Sequence, residues 1–550
     1  MAQFRNRILS TKFLVDFIAI LFILVFCLSG ISTLTQYGAT WDESLGNLFF
    51  GERYLHYFSS FDPNYLRFDE YLSMHKNHQL DLFKSPCRGI PHQFPALADT
   101  ASAATMYVFS YKLKWLDPID AFHLFPILLV SSFLVVFYFF ISKRLGKWVG
   151  LFSILFMGTF PRLWGDMHFN VKDIPEMVFF GFALLAFWVW YENPSWKRAV
   201  LVGLAGGVAL GVKANALFLP VTFILGFWPI APKAMWNHIK TRYFQYILML
   251  ASGLITYFLS WPYLYSNPSN VKNYFSYIFS RGTTSASIIW NWQPLSITIA
   301  VIPEIMLLCL VIGLYFSIIQ IRKKKEIAYR LALIWFLVPI IRNSIFSSVN
   351  FDGIRHFLEF VPAAALLAGM GAASIINLIG KQNKKTVIAS GISLFLLTTI
   401  NTAFIIKEFG SYQYIYFNKI CGGLAGGKEK FGADEATDYW GSSYRKGLKW
   451  LSKNADRDSK LYVAVGDHIV KLVDSIWLRD DIEVIDAPQI AGSINKGKSV
   501  YIMFITRPSF YDPIALECLS KLDPVFEIRV NDVSILEIYK YNFLSKELVL

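Results

Sequence analysis

The stretch QYGATWDESLGNLFFGERYLHYF, residues 36–58, directly follows the first long apolar run of the chain. It places two adjacent carboxylates, Asp42 and Glu43, within a few residues of the point where a membrane helix leaves the bilayer. An ionisable pair at that depth costs free energy, and such pairs usually serve a function. The alternative is that both are ordinary loop acids, with Asp42 acting as a helix N-cap.

The composition is that of a polytopic membrane protein. Of the 550 residues, 55% are hydrophobic and 17% are charged, which excludes an ordinary soluble enzyme. The formal net charge is +13, but the basic residues form short clusters between apolar runs. Such clusters set membrane orientation, so we expect no nucleic-acid partner. The cysteines show no metal-ligand spacing, and we expect no metal site.

Apolar runs predict eleven membrane spans, although several are shorter than the roughly 20 residues that a straight crossing needs. Residues 96–113 carry Asp99 and several small polar residues, and we interpret them as a helix at the outer interface. The predicted spans are residues 13–35, 121–142, 148–163, 175–191, 199–212, 214–231, 245–264, 296–320, 328–342, 357–379 and 386–406.

The positive-inside rule orients these spans. With eleven crossings, every strong basic cluster falls on the side of the N-terminus, which is therefore predicted to be cytoplasmic. The long loop 36–120 and the C-terminal region then face outward, from a cytoplasmic (inner) membrane. Within the long loop, apolar residues at near-helical spacing predict an amphipathic helix along the membrane surface: Leu45, Leu48, Phe49, Leu55 and Phe58.

The composition changes after the last apolar run. We predict a transmembrane domain over residues 1–412, a glycine-rich linker over 413–440 and a small α/β domain over 441–550. In the last, a helix begins near Ser442, and another is expected near 514–521. The predicted strands lie in KLYVAVG, IEVID, SVYIMFI and VFEIRVNDVSILEIYKY, the last a hairpin that turns at Asn531-Asp532.

Two further segments carry polar residues where a simple connector needs few. PRLWGDMHFNVKDIPEMVFF, residues 161–180, contains Asn170, Lys172 and Asp173 together with Asp166 and His168. The simpler interpretation is a hydrophilic connector in which Asp173 caps the next helix. GVKANALFLP contains Lys213, which can extend harmlessly to the interface or bind an anion such as a lipid phosphate.

Arg355 and His356, in NFDGIRHFLEFVP, stand at the outer entrance of the tenth predicted span. Cations there oppose the positive-inside rule, so we expect an anion to bind them. A lipid-linked sugar phosphate satisfies this expectation, since its phosphate lies at the interface, where Lys213 and Arg355 can neutralise it. The incoming hydroxyl then needs one carboxylate base, Asp42 or Asp173. Direct attack on the anomeric carbon would invert its configuration.

These motifs resemble those of the polyprenyl-phosphate-dependent GT-C glycosyltransferases, which include protein O-mannosyltransferases and bacterial lipid A aminoarabinose transferases. WDESLGN resembles the acidic motif of the first outer loop, and GIPHQFP the proline-containing motif later in that loop, with His92 in place. VKDIP resembles the second-loop aspartate motif. GVKANALFLP resembles the lysine motif, and GIRHFLEFVP the arginine-aromatic motif. The resemblance covers about residues 10–455.

The resemblance implies a GT-C fold and an inverting transfer of a sugar from a polyprenyl phosphate, the lipid-linked co-substrate, without a further cofactor. The acceptor hydroxyl can belong to a protein, lipid A or a glycan. The sequence departs from the family motifs at two positions that concern substrate contacts. His356 stands where the family more often has tyrosine, and His92 with Phe94-Pro95 replaces the usual double proline. The implied catalytic residues are Asp42, Asp173 and Glu43, and the implied donor-binding residues are Lys213, Arg355, His356, His92, Lys172 and Asn170.

Two other classes of protein fit some of these features. A lipid flippase or transporter predicts charged or broken helices near the membrane midplane and an internal repeat, whereas the charged residues singled out here gather at one interface. A non-catalytic envelope assembly protein would bind its partners through the outer domain.

Overall fold

The computed structural model describes residues 11–66, 95–227, 232–282, 290–324, 327–345, 351–380 and 383–541. His92 and most of the GIPHQFP motif lie outside these ranges. The α-helices before the C-terminal domain are Thr11–Thr33, Leu48–Ser60, Ala96–Met106, Pro118–Leu145, Lys147–Gly158, Pro161–Asp166, Asp173–Glu192, Trp196–Leu210, Leu219–Phe227, Pro232–Ser260, Pro262–Ser266, Pro268–Gly282, Gln293–Val301, Glu304–Lys324, Ile327–Ile345, Phe360–Gly380, Lys384–Phe409 and Gly423–Phe431.

Eight helices in the described part of the chain are long and apolar enough to cross a membrane. The prediction of a polytopic helical membrane protein is therefore confirmed. These helices are Phe13–Gln36, Pro118–Leu145, Asp173–Glu192, Trp236–Ser260, Glu304–Lys323, Ile327–Ile345, Arg355–Gly380 and Lys384–Phe409.

The other three predicted spans coincide with shorter helices. Lys147–Gly158 has 12 residues, a length of about 18 Å, which is less than the thickness of a bilayer core. Trp196–Leu210 has 15 residues and Leu219–Phe227 has 9. The predicted span 296–320 is broken at Ile302 and Pro303 into two helices. Eleven crossings therefore stay a prediction.

Two helices from the long loop 36–120 pack against each other beside the bundle. Leu48–Ser60 forms where the apolar spacing predicts a helix, but its residues from Leu48 to Tyr54 are buried, so this part is covered by protein. Its partner is Ala96–Met106, which continues as a π-helical turn over Tyr107–Lys112. A Cβ on Gly51 would lie 2.4 Å from the backbone oxygen of Asp99, so this close approach requires glycine.

The C-terminal domain is a five-stranded sheet flanked by helices, in agreement with the predicted strands. The strands are β1 Lys460–Val463, β2 Glu483–Ile485, β3 Val500–Ile505, β4 Phe526–Val530 and β5 Val533–Tyr541. Their order in the sheet is β2-β1-β3-β5-β4. β1 is parallel to β2 and β3, and β5 is antiparallel to β3 and β4. The hairpin turns at Asn531 (φ +50°) and Asp532 (φ +63°), a left-handed pair typical of a type I′ turn. The helices of this domain are Tyr444–Asn454, Asp467–Trp477, Gln489–Asn495 and Pro513–Lys521.

Segment 413–440 attaches this domain to the helical bundle over much of its length. Arg162 donates from Nε to the carbonyl oxygen of Tyr416 at 3.0 Å. Asn418 donates from Nδ2 to the carbonyl oxygens of Ile299 (2.7 Å) and Ile302 (2.8 Å), which lie at the break between two helices. The predicted linker is therefore a packed connection, because its backbone and side chains are bound to the bundle.

Candidate functional site

Asp42 lies at the start of the π-helical turn Glu43–Asn47 and makes no side-chain capping hydrogen bond. Its Oδ2 instead accepts a hydrogen bond from Nη2 of Arg355 at 2.5 Å. The simple N-cap interpretation of Asp42 is therefore wrong. The carboxylate is held by an arginine 313 residues away in the sequence.

Glu43 faces away from this contact. Its Oε1 lies 2.5 Å from Nε2 of His123, and both side chains are fully buried. Its Oε2 accepts from the backbone N–H (2.8 Å) and the hydroxyl (3.1 Å) of Thr40. Glu43 thus fixes the turn that carries Asp42, since both of its oxygens are bound to other groups.

Asp173 opens a long helix, and its carboxylate contacts three side chains. It forms ion pairs with Lys213, through Oδ1, and with Nε of Arg355 at 3.3 Å, through Oδ2. Asn170 also donates to Oδ2 at 2.9 Å, while its own Oδ1 accepts from the backbone N–H of Asp173 at 2.8 Å. Asn170 therefore takes the capping role, and the Asp173 carboxylate is left for the two cations.

Arg355 joins these groups into one cluster. In addition to its ion pairs with Asp42 and Asp173, Arg355 donates from Nη1 to Oδ2 of Asp352 at 3.0 Å. Its guanidinium lies 4.1 Å from the ring centroid of Trp440, within cation–π range. The side chains of Asp173 and Asp352 are 2% and 6% exposed, whereas that of Asp42 is 27% exposed. Asp42 is therefore the carboxylate of this cluster that an incoming molecule can reach.

Lys172 points to the helix Ala96–Met106 instead of to Asp173. It donates from Nζ to Oδ2 of Asp99 at 2.6 Å and to the carbonyl oxygen of Pro95 at 2.7 Å. Burial raises the pKa of Asp99 to about 7, although Lys172 opposes this shift. Burial also lowers the pKa of Lys172. Lys172 is therefore bound to Asp99 at the edge of the cluster.

The backbone of His356 ties Arg355 to the segment that carries Lys213. Its carbonyl oxygen accepts from Nη2 of Arg342 at 2.5 Å and from Nδ2 of Asn215 at 3.0 Å. The His356 ring packs edge-on against Phe351, with centroids 4.7 Å apart. Among the described residues its buried Nε2 has no hydrogen-bond partner. This nitrogen remains available to a ligand.

Two other polar residues of loop 161–180 serve the packing around the cluster. His168 lies 2.8 Å from Oγ1 of Thr33 and stacks on Tyr37, and burial lowers its pKa to about 3. Burial raises the pKa of Asp166 to about 8, with the nearby Arg162 acting in the opposite direction. His168 is therefore uncharged near neutral pH, and the protonated form of Asp166 predominates there.

Three residues of the cluster were not predicted from the sequence, namely Asp352, Trp440 and Arg507. Arg507, which follows β3, donates from Nη2 to Oδ1 of Asp352 at 2.8 Å. The Asp-Gly pair at 352–353 is a turn signal that could have drawn attention to Asp352. No local pattern marks the other two. Among the described residues, no group of three or more His, Cys, Asp or Glu side chains could hold a metal ion.

Comparisons with known proteins agree with this architecture. Residues 108–261 match the family model of dolichyl-phosphate-mannose-protein mannosyltransferases. ArnT from Cupriavidus metallidurans bound to undecaprenyl phosphate aligns with a TM-score of 0.51 and 14% identity, over 96% of this chain and 98% of ArnT. The apo state of the same ArnT aligns with a TM-score of 0.51 and 13% identity, over 94% of this chain and 97% of ArnT. No curated protein matches the sequence significantly.

The chain is therefore a polytopic membrane protein with the GT-C fold, which it shares with ArnT over nearly its whole length. The shared fold and the family match over residues 108–261 together confirm the resemblance to GT-C glycosyltransferases of the mannosyltransferase and ArnT type.

Proposed function

We propose that this chain is an inverting glycosyltransferase that moves a sugar from a polyprenyl phosphate to an acceptor hydroxyl, on the outer face of a cytoplasmic membrane. One observation carries the proposal. Asp42, Asp173, Lys213 and Arg355 come from four separate segments and meet in one cluster. The cluster contains two cations for a phosphate and a reachable carboxylate for a hydroxyl.

The catalytic base in this proposal is Asp42. Asp173 is almost fully buried and already binds Lys213, Arg355 and Asn170, so its charge holds the two cations in place. Asp42 forms an ion pair with one cation among the described residues, Arg355, and its side chain is partly exposed. A phosphate that binds Arg355 would replace Asp42, the most accessible of its carboxylates. The carboxylate released in this way can accept a proton from the acceptor.

The transfer requires one bond to form and one to break at the anomeric carbon. The acceptor oxygen attacks this carbon as its proton passes to Asp42, and the bond from carbon to the phosphate oxygen breaks. The phosphate leaves with the electron pair, and Lys213 and Arg355 stabilise the negative charge that it gains. Attack from the face opposite the leaving group inverts the anomeric configuration.

An apolar cavity that extends from the segment following Lys213 suits the polyprenyl chain. It has a volume of about 480 Å³ and lies among the helices Asp173–Glu192, Trp196–Leu210, Leu219–Phe227 and Pro232–Ser260. Ala216 and Leu219, shortly after Lys213, belong to its wall. A lipid phosphate held by Lys213 would therefore have an apolar space next to it for its tail.

Mass spectrometry of cell-envelope lipids, glycans and proteins tests the proposal. Cells that contain the chain are expected to carry a sugar modification that is absent without it. The same modification should disappear when Asp42→Asn is expressed at equal level in the membrane. An unchanged envelope in the presence of the wild-type chain would overturn the proposed activity. Full modification by Asp42→Asn would remove Asp42 from the role of base.

A further inference from the structure

The turn that presents Arg355 is held by residues that follow position 430 in the sequence. Asp352 (φ +61°) and Gly353 (φ +72°) are consecutive left-handed residues, a conformation that costs free energy for Asp352. A Cβ on Gly353 would lie 2.0 Å from Nη1 of Arg162. This turn therefore depends on glycine at 353 and on contacts that keep it in place.

Three of these contacts come from segment 413–440 and the C-terminal domain. The backbone N–H of Gly353 donates to Oε2 of Glu435 at 2.7 Å. Trp440 covers the guanidinium of Arg355. Arg507 donates to Asp352 and, from Nη1, to the carbonyl oxygen of Tyr439 at 3.1 Å.

Asp352 divides its two oxygens between two arginines. Oδ2 accepts from Arg355 at 3.0 Å and Oδ1 from Arg507 at 2.8 Å. All three side chains are at most 12% exposed, and hydrogen bonds between charged groups are stronger and shorter than neutral ones. The position of Arg507 therefore limits where Asp352, and with it Arg355, can lie.

We propose that Arg507 is a positioning residue for the donor phosphate, and that it acts through Asp352 to hold the Arg355 guanidinium. The C-terminal domain is then part of the donor site. This inference rests on the proposed function, because it takes Arg355 to be the group that binds the phosphate. Arg507 itself touches neither Asp42 nor Lys213 in the contacts of the described structure.

Equilibrium binding of undecaprenyl phosphate to the detergent-solubilised full chain tests the inference. Arg507→Ala is expected to weaken binding about tenfold, the effect of losing one charge-assisted hydrogen bond. Arg507→Lys should recover part of this loss. Arg529→Ala is the matched control, since Arg529 lies in the same domain on β4, with a side chain 62% exposed and paired with Glu527. It is expected to bind as the wild type does.

A double-mutant cycle separates positioning from a merely structural role. Asp352→Asn removes the charge but keeps a residue that tolerates positive φ. If Arg507 acts through Asp352, the variant with both Asp352→Asn and Arg507→Ala binds no more weakly than Asp352→Asn alone. Additive losses would overturn the inference, as would wild-type affinity in Arg507→Ala. Thermal unfolding of each variant shows whether the fold is retained. If Arg507→Ala unfolds, the binding affinities of Asp352→Asn and Arg507→Lys show whether Arg507 positions Arg355.

The result also distinguishes this inference from the proposed function. Tight binding that is lost in Arg355→Ala but unchanged in Arg507→Ala would retain the donor site and reject the role of Arg507. A folded wild-type chain that does not bind undecaprenyl phosphate would reject both.

Discussion

Arg355 and Arg445 occupy similar surroundings, but only the neighbours of Arg355 suit the binding of a further anion. Each guanidinium lies over a tryptophan, at 4.1 Å from Trp440 and 4.3 Å from Trp477 respectively. Each also binds carboxylates in buried or half-buried positions. Arg445 donates to Asp117 at 2.8 Å, to Asp120, and to the carbonyl oxygen of Tyr37 at 2.8 Å. It thereby joins the C-terminal domain to the helix Pro118–Leu145.

The difference lies in the charges and in where the carboxylates originate. Asp117 and Asp120 belong to one helix start, where Asp117 also caps the backbone N–H of Asp120 at 2.8 Å. Among the described residues both form ion pairs with Arg445, while Lys449 interacts with them electrostatically without a close contact. The carboxylates around Arg355 come from three separate segments, and one of them, Asp173, also forms an ion pair with Lys213. An arginine with several carboxylates therefore marks a candidate anion site where a second cation pairs with one of the same carboxylates.

Neutralising one carboxylate in each cluster should give the largest difference in sugar transfer between the two clusters. Asp42→Asn is expected to lower sugar transfer about 1000-fold, because a general base is lost. Asp117→Asn should retain transfer per folded molecule and lower the free energy of unfolding by about 1 kcal/mol. Transfer assays on purified protein, with thermal unfolding alongside, check both variants. Equal losses of transfer in the two variants would contradict the assignment of the base.

Replacing each arginine by lysine sharpens the comparison, because lysine keeps the charge but lacks the planar donor set. Arg355→Lys is expected to weaken undecaprenyl phosphate binding at least about tenfold. Arg445→Lys should leave this affinity unchanged and lower the midpoint of thermal unfolding. Equilibrium binding and an unfolding scan measure the two effects. Weaker binding of undecaprenyl phosphate by Arg445→Lys would show that the two clusters are not independent.

Asp42→Asn should also bind undecaprenyl phosphate about fivefold more tightly than the wild type. The reason is competition, since the phosphate has to replace this carboxylate at Arg355. Asp117→Asn provides the control, with no change expected. The measurement is the same binding assay, repeated at high salt, where the gain should shrink. Weaker binding by Asp42→Asn would mean that Asp42 does not compete with the phosphate.

The smallest effects should come from the two tryptophans. Trp440→Leu removes the ring beneath Arg355 but leaves the carboxylates that bind this guanidinium, so we expect a loss at the lower end of the cation–π range, about 0.5–1 kcal/mol. Binding of undecaprenyl phosphate should therefore weaken about threefold. Trp477→Leu should change only the unfolding midpoint. A change in affinity for Trp477→Leu alone would reverse the comparison.

Local patterns in the sequence predicted most of the secondary structure. Apolar runs long enough to cross a bilayer became helices, because backbone groups in lipid have to be bonded within the segment. The runs KLYVAVG, IEVID, SVYIMFI and VFEIRVNDVSILEIYKY predicted the strands, and Asn531-Asp532 predicted the hairpin turn. The sequence also indicated four candidate residues that the structure brings together, since each is a charge at a predicted membrane boundary: Asp42, Asp173, Lys213 and Arg355.

The partners of these residues could not be predicted in the same way. Arg507 and Asp352 are 155 residues apart, and Arg445 and Asp120 are 325 apart. No periodicity links such pairs. The directions of Glu43 and Lys172 were also not predictable, because each depends on a distant partner, His123 for one and Asp99 for the other. Adjacency to Asp42 or Asp173 in the sequence therefore did not place these side chains in the cluster.

The docking of the C-terminal domain on the bundle limits how substrates can enter. A swing of this domain as a rigid body would have to break the bonds from Arg507 to Asp352 and from Arg445 to Asp120, both in buried surroundings. Such bonds are costly to break without water to replace them. In the proposed function, substrates would therefore reach Asp42 along the domain's flanks, while the domain itself stays docked on the bundle.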